Sequence, residues 1–101
     1  MDKTFNEQCY EALMKVPSGK VTTYKDLANA LGTRAYRAVG NAMNKNPHNT
    51  KKVPCHRVIN SNGDVGGYAW QPELKRQKLK EEGITIKDDK IDLKKYRYSF
   101  F

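Results

Sequence analysis

The residues best suited to chemistry lie in the octapeptide VPCHRVIN, Val53 to Asn60, where Cys55 directly precedes His56 and Arg57. A thiol attacks as its thiolate, and nearby cations, hydrogen-bond donors or a general base increase the supply of that thiolate. Both basic neighbours of Cys55 are candidates for this task. The segment therefore predicts a nucleophilic cysteine, with an ordinary residue of a folded loop as the alternative.

The second cysteine, Cys9, lies in a different context. Apolar residues recur at helical spacing from Thr4 to Val16, which predicts an amphipathic helix with Cys9 on its apolar stripe. A free cysteine in such a place behaves as a small hydrophobic residue, so we expect Cys9 to be buried and inert. Two cysteines in unlike contexts are too few for a disulfide scaffold, and we expect a reduced, intracellular protein.

Length and charge limit the class of protein. The 101 residues predict one domain with a single modest core. Lys and Arg number 19 against 11 Asp and Glu, and the net charge of +8 favours a polyanionic partner, with a basic, solvated surface as the alternative. No apolar run approaches the length of a membrane span, and we expect a soluble, cytoplasmic protein without a membrane partner.

Two predicted helices lie upstream of the reactive octapeptide. Thr22 or Thr23 can cap a helix whose apolar positions continue to Leu31 and which Gly32 ends. After a short turn, helical spacing resumes over Ala35 to Asn44. Two short helices joined by a tight, glycine-containing turn are typical of a helix-turn-helix, and a packed helical hairpin is the alternative.

Downstream of Cys55 the sequence predicts a small β-hairpin, in which Val58 to Asn60 and Asp64 to Val65 flank an Asn-Gly turn. We therefore expect a mainly α fold with a small β-hairpin, a winged-helix-like domain containing a helix-turn-helix, over residues 1–101.

A last helix begins at Pro72 and is closed by Gly83. Its basic residues, Lys75 among them, are expected on a polar surface. The tail, residues 84–101, is expected to pack as strand or coil and receives no function.

The order of these pieces resembles the active-site, DNA-binding domain of the O6-alkylguanine-DNA alkyltransferases, the methylated-DNA-protein-cysteine methyltransferases. The similar segments run from GKVTTYKDLANALG through RAVGNAMNKNP and VPCHRVINSNGDVGGYAW to KLKEEG, across nearly all of residues 5–83. PCHRV is the most specific part. The helix before VPSGKV begins essentially at Met1, so we expect the usual N-terminal domain of the family to be absent.

The resemblance implies a single-use transfer in which Cys55 takes the alkyl group from guanine and keeps it as a thioether. His56 matches the relay base that draws the thiol proton through a water, and Glu82, with Glu81 as a nearby alternative, matches the acid that orients this histidine. Asn46 matches the asparagine that braces the turn carrying the cysteine. No cofactor is implied, and the sequence shows no cluster of metal ligands.

The resemblance also implies extrusion of the damaged base from double-stranded DNA, with the second helix of the helix-turn-helix in the minor groove. Arg37 matches the finger that replaces the departed base, and Tyr24 matches the tyrosine that crowds the phosphate and can donate to the guanine. A surface phosphate contact and a half-buried helix residue are the respective alternatives. The residues expected at the DNA are Tyr24, Arg37, Ala38, Gly40 and Arg57, of which Arg57 is also expected to tie active-site backbone to neighbouring elements.

A guanine pocket is the third implied feature. Its expected lining is Met43, Val58, Tyr68, Ala69 and Trp70. Trp70 stands where the family's loop varies, and it either narrows the pocket against bulky adducts or fills the core.

The related alkyltransferase-like proteins are equally short, bind alkylated guanine without repairing it and hand the lesion to excision repair. They carry tryptophan or another non-nucleophile where this sequence has Cys55. We therefore predict a monomeric, single-turnover methyltransferase for O6-alkylguanine in DNA, with a lesion-binding protein as the alternative. A helix-turn-helix regulator would need a dimer surface and side chains that contact bases in the major groove. A hydrolase that uses Cys55 and His56 would not account for the basic charge of the chain.

Overall fold

A computed structural model of the chain describes residues 4–45, 53–66 and 72–100. These ranges contain five α-helices, a two-stranded sheet and one 3₁₀ turn. In chain order the elements are α1 (Phe5–Leu13), β1 (Thr22–Thr23), α2 (Tyr24–Ala30), α3 (Tyr36–Asn44), the 3₁₀ turn (Cys55–Arg57), β2 (Val58–Ile59), α4 (Pro72–Glu81) and α5 (Leu93–Tyr96). The predicted mainly α architecture is confirmed. None of these helices is both long and apolar enough to cross a membrane.

Helix α1 begins where the sequence predicts it. The hydroxyl of Thr4 accepts a hydrogen bond from the backbone N–H of Glu7 at 3.2 Å and caps the helix. One face of α1 is buried and includes Cys9, which is fully inaccessible, as expected. From the same face the hydroxyl of Tyr10 donates to the carbonyl of Ala42 in α3 at 2.8 Å, which ties the two helices together.

Helices α2 and α3 pack on each other and on α1. The Thr23 hydroxyl caps α2 by accepting from the N–H of Asp26 at 3.0 Å. Gly32, at φ +73°, ends α2 in the left-handed region that favours glycine. The turn that follows leads directly into α3, so the predicted two-helix unit is present.

The strand pairing differs from the predicted hairpin. Strand β2 pairs in parallel with β1, which places Thr22 opposite Val58 and Thr23 opposite Ile59. All four residues are buried. Strands that are buried on both faces are typical of parallel sheets. The strands of an antiparallel hairpin commonly leave one face exposed to solvent.

The turn of the predicted hairpin does form. The N–H of Gly63 donates to the carbonyl of Asn60 at 3.0 Å, and the N–H of Asn60 donates to Asp64 at 3.0 Å. Beyond this turn, however, Asp64 bridges to Lys90 of the tail and not to β2. The hairpin prediction is therefore right about the turn and wrong about the strand partner.

Helix α4 ends in a left-handed glycine cap at Gly83, which has φ +86°. The N–H of Gly83 donates to the carbonyl of Lys80 at 3.0 Å, and the N–H of Ile84 donates to Leu79 at 3.1 Å. This pair of bonds is the Schellman motif. Leu79 and Ile84, on the two sides of the cap, are both buried in one apolar cluster. The cap therefore also fixes the position of Glu82, which immediately precedes Gly83.

The tail is more ordered than the sequence predicts, since it contains α5 and pairs with Val21, the residue directly before β1. The N–H of Val21 donates to the carbonyl of Tyr96 at 2.9 Å, and the N–H of Tyr98 donates back to Val21 at 2.7 Å. The Arg97 guanidinium contacts the Asp26 carboxylate at 2.7 Å and 2.6 Å. The tail is thereby fastened beside the start of α2.

The buried residues form two clusters that meet at the sheet. The first lies among α1, α2 and α3 and includes Val58, and the second lies among α4, the tail and Ile59. Consecutive strand residues point to opposite faces, so Val58 and Ile59 enter different clusters. The 3₁₀ turn directly before β2 therefore lies at the junction of the two clusters.

The glycine cap of α4 gives a test of the fold. A Cβ at Gly83 would meet no atom within 4 Å, so Gly83→Ala carries mainly the cost of the left-handed backbone, about 1–2 kcal/mol of unfolding free energy. Gly40→Ala is the matched control, because Gly40 also has open space but lies inside α3, where alanine is stabilising by up to about 1 kcal/mol. Urea denaturation of both variants should give changes of opposite sign; equal signs would contradict the cap.

Candidate active site

The 3₁₀ turn holds Cys55 in a fixed place. The N–H of Arg57 donates to the carbonyl of Pro54 at 2.9 Å, and the N–H of Cys55 donates to Val53 at 2.8 Å. Val53 on one side and Val58 on the other are buried in the first cluster. Because both ends of the turn are anchored in the core, the direction of the cysteine side chain is set by the fold.

The two cysteines differ in accessibility. Cys55 is partly exposed and packs against the first apolar cluster. Cys9 is fully buried, and this burial raises the pKa of its thiol to about 11. A nucleophile must reach its substrate as a thiolate, so Cys55 is the candidate and Cys9 is a core residue.

His56 follows Cys55 and is buried, with 4% of its surface exposed. Its Nε2 lies 3.1 Å from Oε2 of Glu82. This contact is close but does not have the geometry of a well-aligned hydrogen bond. Burial lowers the pKa of His56 below its ordinary value of 6.5; Glu82 opposes this change, while the positive charges of Arg57 and Lys78 add to it. The imidazole is therefore neutral at neutral pH and able to accept a proton.

The guanidinium of Arg57 binds the same carboxylate, that of Glu82. Its Nε donates to Oε1 of Glu82 at 3.0 Å, and its Nη2 pairs with Oε2. Its Nη1 donates to the carbonyl of Val16 at 2.8 Å. Both side chains are 15% exposed. Arg57 therefore links the 3₁₀ turn to Glu82, directly after α4, and to Val16, beyond the end of α1.

The environment of Glu82 favours its ionised form. Partial burial raises the pKa of this carboxyl, but Arg57 and His56 together lower it by more than burial raises it. The net pKa therefore lies below the ordinary 4.5. Glu81, the alternative named from the sequence, is exposed and its carboxylate accepts a hydrogen bond from Gln77 at 3.2 Å. Glu82 is thus the acid that contacts His56.

Lys75 contradicts the prediction of a polar surface on α4. Its exposed fraction is 1%, and it is the largest fully buried side chain of the described residues. Lys75, Leu79 and Glu82 are spaced by four and three residues, so they share one face of α4, and this helix packs on the 3₁₀ turn. That spacing is the signal in the sequence that could have placed Lys75 inward.

The residues expected at the DNA lie on α2 and α3. Arg37 is exposed on α3, and Ala38 and Gly40 are partly exposed, while Val39 is buried on the opposite face. Tyr24, the first residue of α2, is partly buried and packs on the first cluster. Burial, and then the nearby Cys55, raises its pKa. The phenol of Tyr24 is therefore close to the cysteine and keeps its proton.

The expected pocket residues are described only in part. Met43 and Val58 belong to the first cluster, against which Cys55 packs, and are 7% and 0% exposed. The other predicted site residues lie outside the described residues: Asn46, Tyr68, Ala69 and Trp70. Within the described ranges, no group of three or more His, Cys, Asp or Glu residues could hold a metal ion.

Comparison with known proteins settles the family. Residues 4–84 match the family model described as 6-O-methylguanine DNA methyltransferase, DNA binding domain. The chain belongs to this family. The resemblance drawn from PCHRV and its neighbouring motifs is therefore confirmed.

The match with this chain covers a different share of each relative's length. A methylated-DNA–protein-cysteine methyltransferase of Candida glabrata is 39% identical over 95% of this chain and 50% of its own length. The chain spans between about a third and about a half of the length of the curated relatives that it matches.

Solved structures of the family confirm the helix-turn-helix fold. Schizosaccharomyces pombe Atl1, in complex with damaged DNA containing O6-carboxymethylguanine, superposes with a TM-score of 0.82 at 34% identity and covers 94% of both chains. The O6-methylguanine-DNA methyltransferase of Pyrococcus kodakaraensis superposes with a TM-score of 0.73 at 44% identity, over 81% of this chain and 47% of its own.

The depressed pKa of His56 predicts a pH dependence of stability. A histidine in the unfolded chain binds a proton below about pH 6.5, whereas His56 in the folded protein binds it only at lower pH. The unfolding free energy therefore falls as the pH drops below 6.5. Below about pH 4.5 the protonation of Glu82 begins to contribute as well. His56→Gln should reduce this fall, and His48→Gln, which removes the other histidine of the sequence, should retain it. Urea denaturation across that pH range measures both slopes; an unchanged slope in His56→Gln would refute the assignment.

Proposed function

We propose that this protein repairs O6-alkylguanine in double-stranded DNA by transferring the alkyl group irreversibly to Cys55. One observation carries the proposal: the accessible thiol of the chain immediately precedes a buried, neutral histidine whose ring contacts an ionised carboxylate. A nucleophile, a base and a group that orients the base are the parts that such a displacement needs.

The transfer makes one bond and breaks one. The sulfur of Cys55 attacks the alkyl carbon, the bond from that carbon to O6 of guanine breaks, and the electron pair of that bond leaves with the base. The thiol proton passes to His56 through a water, and Tyr24 donates a hydrogen bond to the departing guanine, as the resemblance to the family implies. The guanine anion that is released takes up a proton from solvent. The thioether is stable, so each molecule reacts once.

The charges around the base support this direction of proton transfer. His56 is neutral at neutral pH and can accept a proton, and the carboxylate of Glu82 then stabilises the imidazolium. Arg57 holds that carboxylate from the other side and keeps it ionised. The base is therefore ready before substrate arrives.

The surface of α3 supports a DNA partner. Arg37 is exposed, and it makes no hydrogen bond or ion pair within the described part of the chain. The chain carries a net charge of +8, and its structural neighbour Atl1 is known in complex with damaged DNA. We infer that α3 enters the minor groove and that Arg37 fills the gap left by the extruded nucleotide.

A second function is favoured by one observation. S. pombe Atl1, which was solved in complex with damaged DNA, superposes on this chain with a TM-score of 0.82. A lesion-binding protein that flags alkylated guanine is the alternative that this likeness supports. The presence of Cys55 favours transfer, since the resemblance to the family implies that alkyltransferase-like proteins carry a non-nucleophile at this position.

The first test is mass spectrometry after mixing the protein with duplex DNA that carries one O6-methylguanine. The expected result is one methyl group on the Cys55 peptide and restored guanine in the DNA. Cys55→Ser should abolish transfer and retain lesion binding, and Cys9→Ser is the matched control that should still react. Tight lesion binding with unmodified Cys55 would support the lesion-binding alternative.

The second test concerns base extrusion. Arg37→Ala should slow transfer from duplex DNA by about tenfold, because extrusion costs a few kcal/mol, and it should leave the reaction with free O6-methylguanine base almost unchanged. Arg34→Ala removes an equal charge just before α3 and should weaken binding in a salt-dependent way without changing the ratio of the two rates. Equal losses on both substrates for Arg37→Ala would exclude a finger role.

A further inference from the structure

The tail of the chain carries basic side chains that the site described above does not use. The tail begins at residue 84, the last residue that matches the family model, so the family resemblance assigns it no role. Four exposed cations lie in the tail or against it: Lys20, Lys94, Lys95 and Arg97. We call these four residues the tail surface. On a protein proposed to bind DNA, exposed lysine and arginine side chains are candidate contacts for the phosphate backbone.

The four cations form one patch. The ammonium of Lys20 donates a hydrogen bond to the carbonyl of Lys95 at 3.3 Å, so Lys20 lies beside α5. Lys94 and Lys95 are neighbours in α5, and Arg97 directly follows the last residue of this helix. Arg97 comes three residues after Lys94, a spacing that places two side chains on the same side of a helical turn. The positive charges of the tail surface are therefore concentrated in one place.

This patch lies beside the start of α2. Val21, three residues before Tyr24, exchanges backbone hydrogen bonds with the residues on both sides of Arg97. The guanidinium of Arg97 binds the carboxylate of Asp26, in the first turn of α2, at 2.7 Å and 2.6 Å. In the proposed function Tyr24 lies against a phosphate of the DNA. The tail surface is therefore continuous with the proposed DNA interface.

The carboxylate of Asp26 would repel a phosphate at this point if it had no partner. Its side chain is 13% exposed, whereas that of Arg97 is 56% exposed. Nε and Nη2 of Arg97 bind the two carboxylate oxygens, and Nη1 donates no hydrogen bond to the residues that the structure describes. The pair therefore cancels the charge of Asp26 and presents a guanidinium, not a carboxylate, to an approaching phosphate.

A second carboxylate at the patch leaves the balance of charge positive. Asp92 caps α5 by accepting a hydrogen bond from the N–H of Lys94 at 3.0 Å. The four cations of the tail surface thus face the two carboxylates of Asp26 and Asp92. The excess of positive charge favours a polyanion as the partner.

We propose that the tail surface binds the phosphate backbone of duplex DNA beside the lesion. In this arrangement Arg97 cancels the charge of Asp26, and the lysines of the tail surface contact further phosphates. The place of this contact in repair rests on the proposed function, but the binding needs neither a lesion nor Cys55. Because phosphate contacts carry no sequence information, the tail surface adds affinity for damaged and undamaged duplexes alike.

The first test measures the affinity for an undamaged duplex and for the same duplex with one O6-methylguanine, in a Cys55→Ser background that prevents transfer. Lys94→Gln combined with Lys95→Gln should weaken binding to both duplexes by the same factor. It should also reduce the slope of log affinity against log salt by about 1 to 2, because fewer counterions are released.

The matched control is Lys87→Gln combined with Lys90→Gln, which removes the same charge from the same tail. These lysines belong to the hairpin whose Asp89 binds Arg76 of α4, and this hairpin is not the part of the tail that meets α2. The control should retain the affinity and the slope of the parent chain. An unchanged slope in the Lys94 and Lys95 variant, or an equal loss in the control, would overturn the proposal.

The second test concerns the charge of Asp26. Arg97→Gln leaves this carboxylate without its cation and should lower the affinity for both duplexes by about fivefold at low salt. Asp26→Asn in the same chain should restore most of the lost affinity. The backbone bonds between Val21 and the tail do not involve the replaced side chains, and a detached tail would not be restored in this way. No loss in Arg97→Gln, or a loss that Asp26→Asn leaves unchanged, would refute the role of Arg97.

Failure of the tail surface and failure of the repair reaction give different results. Weaker DNA binding in the tail variants, together with no methyl transfer in the chain that retains Cys55, would reject the proposed repair reaction alone. Normal methyl transfer together with unchanged DNA binding in the tail variants would reject the tail surface alone.

Discussion

The carboxylate of Glu82 is the group on which the rest of the site depends. It receives the guanidinium of Arg57, contacts the ring of His56, and is held at the end of α4 by the cap at Gly83. Removing one partner of a buried ion pair typically costs about 3–5 kcal/mol, because the other charge is left uncompensated. Because Arg57 also binds the carbonyl of Val16, this one carboxylate joins both apolar clusters to the reactive turn.

Local signals in the sequence were sufficient for the first four helices, α1 to α4, but not for α5, which lies in the tail that was expected to be strand or coil. The cap at Thr4 and the glycine at Gly83 lie where the pattern predicts them, because capping depends on residues only a few positions apart. The sheet could not be predicted in this way. The pairing of Val58 with Thr22 joins residues far apart in the sequence, and nothing near Val58 indicates its partner. A turn-forming Asn-Gly therefore suggested the wrong neighbour.

The site shows the same division. The adjacency of Cys55 and His56 can be read directly from the sequence. Glu82, which contacts His56 in the structure, was identified only through the resemblance to a family. Lysines in a strongly charged helix suggest a solvated face, and composition carries no information about which of them a neighbouring element covers. The burial of Lys75 is decided by how α4 packs on the turn, which is a tertiary contact.

The bonds between Val21 and the tail have a consequence for how the chain acquires its structure. Strand β1 is paired with β2, and Val21, directly before it, is paired with residues 96–98. The pairing of this segment is therefore complete only when the last residues of the described chain are present. Contacts between residues so far apart in sequence slow folding, since the long intervening segment must first be closed. During synthesis, the segment carrying Tyr24 therefore leaves the ribosome long before its final neighbours, and the reactive turn reaches its finished surroundings late.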